Sequence, residues 1–400
     1  MTKTSLLVAS NQAPIPFTMP VTLPESVAAV HAFLSTNPRA FSGNGVQTKA
    51  CQAALSSVFG YNNPLLTSSC TSALEMAALA LKAHIGDKFD YANPPVIICP
   101  SFTFVSTTNS FAKYGFKIRY IDINPDTMNN DESVIEAAVT PDVVAVVVVH
   151  YGGISCDMAR VEAFCKTKNL VLISDAAQAI GALCHGKPLP NYGDMACLSF
   201  HDTKNCTAGE GGALLVNNEA FLPDTKIARE KGTNREQFLQ GQVDKYTWVG
   251  LGGHYLMSEI NATYLLPQLT GYAALHEHRL ALWQQYQDRL KALEARVGAD
   301  VFKCPSIPTY NQQNAHIYYV KLRDNMARVA LRDYLRTQGI ESSFHYTPLH
   351  LNPYGLKTGA FAGDDRNTVI ETERLLRLPL YHALQVEDVD RVCDAIKSYY

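Results

Sequence analysis

Apolar residues in the first half of the chain come in short solid runs. Between these runs lie longer stretches in which apolar residues recur every three or four positions. The longest pure run, VVAVVVV (Val143–Val149), is far too short to span a bilayer and reads as a buried strand. Similar strands are predicted in NNPLLTSS, PPVIIC, KIRYIDI, LVLISD, GDMACLSF and GEGGALLV. Helical spacing is predicted up to about Phe59, from about Thr71 through CTSALEMAALALKAHI, and in VSTTNSFAKYG, DESVIEAAV and MARVEAFCKTKN. Strands and helices therefore alternate. That order predicts an α/β fold with a mostly parallel central sheet wrapped by helices.

The pattern changes after Gly232. From Gly232 to Gly253 the chain is polar, with few periodic apolar positions, and no helix or strand is expected. A loop this long inside a compact domain is usually functional. The stretch MSEINATYLLPQLTGYAALHEHRLALWQQYQDRLKAL reads as one or two long helices broken near Pro267. The remainder, with NAHIYYVKL, MARVALRDYLRTQGI, SSFHYTPLH and VEDVDRVCDAIKSYY, suggests a small α/β domain. The expected division is a large domain over 1–265, then interdomain helices and a small C-terminal domain over 266–400.

Composition narrows the function. Apolar residues make up 47% of the 400 residues, enough for a sizeable core, and the net charge of −3 argues against a nucleic-acid surface driven by bulk charge. No segment reads as a membrane span, and MTKTSLLVASNQAP has neither the apolar core nor the cleavage site of a signal peptide. The ten cysteines are scattered, with no CxxC pair. They are expected to be free thiols in a reducing, cytoplasmic compartment.

Four pieces of candidate chemistry fall at strand ends, where open α/β sheets bind ligands. Lys204 sits between SFHD and the glycine-rich NCTAGEGG. A desolvated lysine there is a free amine suited to Schiff-base chemistry, and a solvated loop lysine is the alternative. Asp175 ends the strand LVLISD, with Gln178 one turn on. A buried carboxylate needs a partner, either a protonated ring nitrogen or a helix N-terminus. Phe104, after VIIC, is placed to cover a flat ring or to fill the core. Thr71 and Ser72, with Ser69, open a helix where N–H groups and hydroxyls suit a phosphate; a simple N-cap is the alternative. Ser199 lies five residues before Lys204. Aldehyde, pyridine nitrogen, ring face and phosphate together describe pyridoxal 5'-phosphate. No GxGxxG opens a strand-turn-helix unit, no P-loop is present, and the histidines, among them His150, His201, His345 and His350, lack zinc spacing. No metal is expected.

With SSCTSALEMAAL, PSFTFVSTTN, LISDAAQAIG, SFHDTKNCTAGEGGALLVNN, REKGTNR, YLMSEINA, FHYTPLH and ERLLRLPL, the sequence resembles the PLP-dependent nucleotide-sugar aminotransferases of the DegT/DnrJ/EryC1/StrS group over nearly its whole length. The resemblance implies a fold-type I architecture and a homodimer with the cofactor near the subunit interface. It assigns the Schiff-base lysine to Lys204 and the pyridine-nitrogen aspartate to Asp175. Gln178 matches the glutamine near the ring hydroxyl, Phe104 the stacked aromatic, and Thr71, Ser72 and Ser199 the phosphate contacts. The substrate side is expected to use His201, Arg229, Arg235, Lys245, Tyr246, His316, Tyr318 and His345, with the 232–253 segment crossing into the partner's site. Many members carry Asn or Arg where this chain has Leu256, so the cross-subunit phosphate contact there is lost or replaced. A related branch that dehydrates sugars replaces the lysine by histidine, so Lys204 favours transamination. L-glutamate is the implied donor and a dTDP-linked 4-keto-6-deoxy sugar the implied acceptor. The gluco epimer of the product, a 3-keto acceptor, and a non-catalytic sugar-nucleotide-binding or regulatory protein are the alternatives.

Overall fold

The solid apolar runs become strands of one eight-stranded sheet in the computed structural model, which describes residues 13–36 and 41–400. The N-terminal stretch read for a leader falls mostly at residues 1–12, outside the described residues, as do residues 37–40 ahead of the first glycine-rich loop. In chain order the strands are β1 (Pro64–Thr67), β2 (Val96–Pro100), β3 (Lys117–Ile121), β4 (Val143–Val149), β5 (Val171–Asp175), β6 (Met195–Ser199), β7 (Gly212–Val216) and β8 (Gly359–Phe361). Their order across the sheet is β1-β7-β6-β5-β4-β2-β3-β8, and β7 alone runs antiparallel to the other seven.

Alternation along β4 shows why the run is apolar throughout. Val146 and Val148 enter one core cluster, and Ala145 and Val147 enter the cluster on the opposite face. Both faces are covered by helices, so neither face of the strand tolerates polar residues. Register aligns the strand ends. Val149 pairs with Asp175, and Asp175 with Cys197, which sets Asp175 and Ser199 at one edge.

Three expectations change. The helix break falls at Gly271, between Glu259–Thr270 and Tyr272–Val297, and Pro267 lies inside the first helix. Pro267 sits in the last turn, its carbonyl still accepts from the Gly271 N–H at 2.9 Å, and the buried Leu265 and Leu269 hold the turn in place. The 232–253 segment is not irregular throughout. It carries the short helix Arg235–Leu239 and doubles back as an arm, with Asn234 Oδ1 accepting from the Thr247 N–H at 2.7 Å and bridges joining Thr233 to Trp248 and Glu230 to His254. Finally, β8 comes from the C-terminal part of the chain yet pairs with β3 in the large sheet; Gly359 permits this, because a Cβ there would lie 2.0 Å from the Ile118 carbonyl oxygen.

A second sheet is built from Phe302–Lys303, Tyr318–Leu322 and Leu375–Leu378, all antiparallel. It packs with the helices Asn325–Thr337 and Val386–Tyr399 and with the later turns of Tyr272–Val297 around a separate apolar cluster. Leu275 belongs to the core of the large sheet and Leu282 to this second one, so the chain passes between cores within a single helix.

Candidate active site

The edge where β4, β5 and β6 end opens into a cleft of about 480 Å³. Asp175 lies at its floor and is 6% exposed. Thr107 donates to its Oδ2 at 2.7 Å and the Ala177 N–H to its Oδ1 at 3.1 Å. Burial raises its pKa, while these two donors and the charge of Lys204 draw it down. Among the described residues no cation lies within ion-pair distance of this carboxylate, so it is held by neutral donors and complements an incoming cation.

Lys204 sits on a braced turn. Its N–H bonds the His201 carbonyl at 2.9 Å, and the next residue, Asn205, is buried, donating to the Asn314 carbonyl and bonding His316 Nδ1, both at 2.8 Å. The amine reaches into the cleft and has no hydrogen-bond partner among the described residues. Burial holds its pKa below the ordinary lysine value; the charge of Arg377 adds to this and that of Asp175 opposes it. The solvated-lysine alternative does not describe this environment.

The helix Cys70–Ile85 points its N-terminus at the same cleft. Its N-cap is Ser69, whose Oγ accepts from the Ser72 N–H at 3.0 Å. Thr71 lines the cleft and donates to Ser106 Oγ at 2.8 Å. Ser72 does not line it; its hydroxyl turns back to Ser68 and Ser69. Ser199 lines the cleft from the end of β6. Gly212 lets β7 lie against this helix end, since a Cβ there would come within 2.4 Å of the Ser69 backbone. Phe104 is 57% exposed on the cleft wall and is therefore no core residue. Gln178 accepts from the Gly152 N–H at 2.7 Å and donates to the Tyr346 hydroxyl at 3.1 Å.

Of the expected substrate residues, His201, His316 and His345 line the cleft. His345 stacks on Tyr346 at 4.0 Å, bonds the Tyr151 hydroxyl through Nδ1 at 3.1 Å, and accepts from Arg377 Nη1 at 2.6 Å. Burial, followed by nearby positive charge, holds both His316 and His345 well below the usual histidine range, so both are neutral. The other five are not brought to the cleft within this chain. Tyr318 is fully buried in the small core, stacked on Tyr286, and donates to Gln287 at 2.8 Å. Strand alternation sends Tyr318 and Val320 into that core and Ile317 and Tyr319 to the other face. Arg229 is buried beside Asn44, Arg235 pairs with Glu230 at 2.9 Å, and Lys245 and Tyr246 are exposed on the arm.

Sequence reasoning missed His150, Arg377, Tyr346 and Phe17, all on the cleft wall. Arg377 left a trace, as the one charge in the apolar strand Leu375–Leu378. His150 had none beyond its place after β4.

Pyridoxal 5'-phosphate fits these residues. A buried carboxylate without a cation, an exposed aromatic face, a desolvated amine and a hydroxyl-rich helix N-terminus all converge on one cleft. The sequence matches the DegT/DnrJ/EryC1/StrS aminotransferase family over residues 24–397. The chain belongs to this family. It is an aminotransferase, and its cofactor is pyridoxal 5'-phosphate. The fold is shared with solved structures. The sugar aminotransferase CalS13 from Micromonospora echinospora superposes with a TM-score of 0.83 at 22% identity, covering 96% of this chain and 100% of that one. PseC from Helicobacter pylori, an aminotransferase of pseudoaminic acid biosynthesis, gives 0.83 at 21%, covering 96% and 98%. DesV from S. venezuelae gives 0.83 at 23%, covering 97% and 99%. Among the described residues no helix is long and apolar enough to cross a membrane.

Proposed function

We propose that this aminotransferase moves the amino group of L-glutamate to dTDP-4-dehydro-6-deoxy-D-glucose, forming 2-oxoglutarate and dTDP-4-amino-4,6-dideoxy-D-galactose. The observation that carries amino transfer is the pairing of a desolvated Lys204 amine with a buried, cation-free Asp175 across one cleft. Bound there, pyridoxal 5'-phosphate supplies an aldehyde that carries nitrogen and a ring that takes up the electrons released at the donor's α-carbon. Lys204 anchors the cofactor and, once released, moves the proton from the donor α-carbon. Asp175 holds a proton on the ring nitrogen, and Thr107 orients its carboxylate. Phe104 covers the ring against water, and Gln178 reaches its hydroxyl. Thr71, Ser199 and the helix N–H groups hold the phosphate, with Ser72 acting through the N-cap.

The acceptor reading rests on SFHDTKNCTAGEGGA, EKGTNREQFLQGQVDKYTW and YLMSEI, which resemble the dTDP-4-amino-4,6-dideoxygalactose transaminases more than other members. The sugar aminotransferases among the structural neighbours support a sugar acceptor. His201, His316 and His345 stand beside the sugar. Arg235, Lys245 and Tyr246 serve the nucleotide from a second copy, whose arm crosses the interface of a homodimer; Arg229, buried at the base of the arm, supports it from within its own chain. In support, the arm leaves Trp248 at 78% and Tyr246 at 53% exposure on the single chain, apolar area that a partner would cover. All ten cysteines are free, which suits a reducing cytoplasm.

The test incubates enzyme, cofactor and L-glutamate with the 4-keto and 3-keto dTDP sugars separately and reads the H3–H4 coupling of the product by proton NMR. A small coupling, from an axial nitrogen at C4, is expected. A large diaxial coupling means the gluco epimer, and turnover of only the 3-keto sugar overturns the C4 assignment. No change in the cofactor absorbance with glutamate or any other amino donor would instead favour a binding or regulatory protein.

A further inference from the structure

Arg377 stands on the wall of the cleft that the C-terminal sheet supplies. Its backbone is fixed by reciprocal hydrogen bonds with Ser343, 3.2 Å from the Ser343 N–H to the Arg377 carbonyl and 2.7 Å in the other direction. The guanidinium Cζ lies over the Phe17 ring, 4.7 Å from its centre. One donor, Nη1, is spent on neutral His345. The buried Nε has no partner, and no carboxylate of the described residues lies within ion-pair distance. Phe17, His345 and the Tyr151 and Tyr346 phenols beside it are all uncharged. A guanidinium cannot lose its charge in a protein, and a partly desolvated one with unspent donors costs free energy until an anion arrives.

The chemistry of the reaction says which anion. An amino acid that reacts at Lys204 carries its α-carboxylate one bond from the reacting carbon, so that group must rest beside the lysine. Arg377 lines the same cleft as Lys204 and bonds His345 on its wall, which places it in that neighbourhood. The cofactor phosphate is already provided for at the Cys70–Ile85 helix end, and a nucleotide diphosphate is separated from the reacting carbon by the width of the sugar. We propose that Arg377 is the residue that binds the α-carboxylate of the amino donor, through the planar fork of Nε and Nη2, with Phe17 stacked on its face and His345 fixing its orientation. The inference rests on the aminotransferase reading above and adds the donor subsite to it.

The test compares the wild-type holoenzyme with Arg377→Gln and Arg377→Lys. Binding of glutarate, an unreactive dicarboxylate, is measured by calorimetry, and each half-reaction is followed separately by cofactor absorbance. Retention of the cofactor's visible band in the variants certifies the fold. Arg377→Gln should weaken glutarate binding and raise half-saturating L-glutamate by roughly 30-fold or more, the usual scale for removing one partner of a desolvated charge pair. Arg377→Lys should fall between, because it keeps the charge without the fork. Amination of the keto sugar by the amino-loaded enzyme should change far less. Unchanged glutarate and glutamate saturation in Arg377→Gln, or an equal loss in the sugar half-reaction, overturns the assignment. Normal glutarate binding without amination of the 4-keto sugar overturns only the acceptor reading.

Discussion

Thr107 donates its hydroxyl hydrogen to Asp175 Oδ2 at 2.7 Å and, with that hydrogen spent, accepts from Thr103 at 2.7 Å. The chain Thr103–Thr107–Asp175 fixes the carboxylate without supplying positive charge. Thr107→Val removes a donor from a charged acceptor, a change worth about 1.5–3 kcal/mol, and should slow the glutamate half-reaction by about tenfold or more. Asp175→Asn should still bind cofactor but lose rate by orders of magnitude, because an amide cannot hold the ring nitrogen protonated. Stopped-flow absorbance measures both; equal rates for Asp175→Asn and wild type would remove Asp175 from the mechanism.

Lys204→Ala should abolish turnover together with the visible absorbance of the bound cofactor. Near wild-type transamination in the purified variant, without added amine, would refute the assignment and turn attention to Lys245.

Gly212 faces the Ser69 and Cys70 backbone at distances no Cβ tolerates, 2.4 and 2.5 Å. Gly212→Ala therefore has to push β7 off the helix N-terminus. The expected cost is about 1–3 kcal/mol of stability, with weaker cofactor binding because the phosphate end of the cleft moves. Thermal unfolding and cofactor titration check this; an unchanged cofactor affinity would mean the helix end does not hold the phosphate.

His150 is buried with both ring nitrogens unpartnered, and burial pushes its pKa from 6.5 down to about 3. Below pH 6.5 the unfolded chain takes up a proton that the folded chain refuses, so the unfolded state gains. Stability should therefore fall as pH drops from about 6.5 towards 3, by at most about 1.4 kcal/mol per pH unit from this residue. Relative to wild type, His150→Phe should flatten that slope in cofactor-free protein, as read from denaturant midpoints between pH 7 and pH 5. An identical slope in both proteins would show that His150 does not contribute.

Trp248 and Tyr246 expose their rings on the doubled-back arm. Trp248→Asp should shift the enzyme from dimer towards monomer in light scattering and reduce activity in parallel. An active monomer at assay concentration would disprove the arm's role.

Much of this protein was legible in its local patterns. Strands buried on both faces must be apolar throughout, so β2, β4 and β5 announce themselves, and a carboxylate or hydroxyl at the end of such a run marks the ligand edge. Asp175 and Ser199 end such runs, Thr71 and Lys204 follow a few residues beyond strand ends, and all four line the cleft. Local pattern also carries the helices, because capping and periodicity are decided within a turn or two. What remained hidden depends on contacts between segments far apart in the chain. Tyr318 lies two residues from the cleft residue His316, yet the sheet register turns it into the small core. The arm looked structureless because its pairings, such as Thr233 with Trp248, carry no periodic signal. Arg377 and His345 meet across 32 residues, and Gly359 meets Ile118 although most of the chain lies between them. Residue type and spacing set which conformations each segment prefers; only the packing of one sheet against another decides which side chains share a cleft, because that is fixed by register and burial summed over the whole chain.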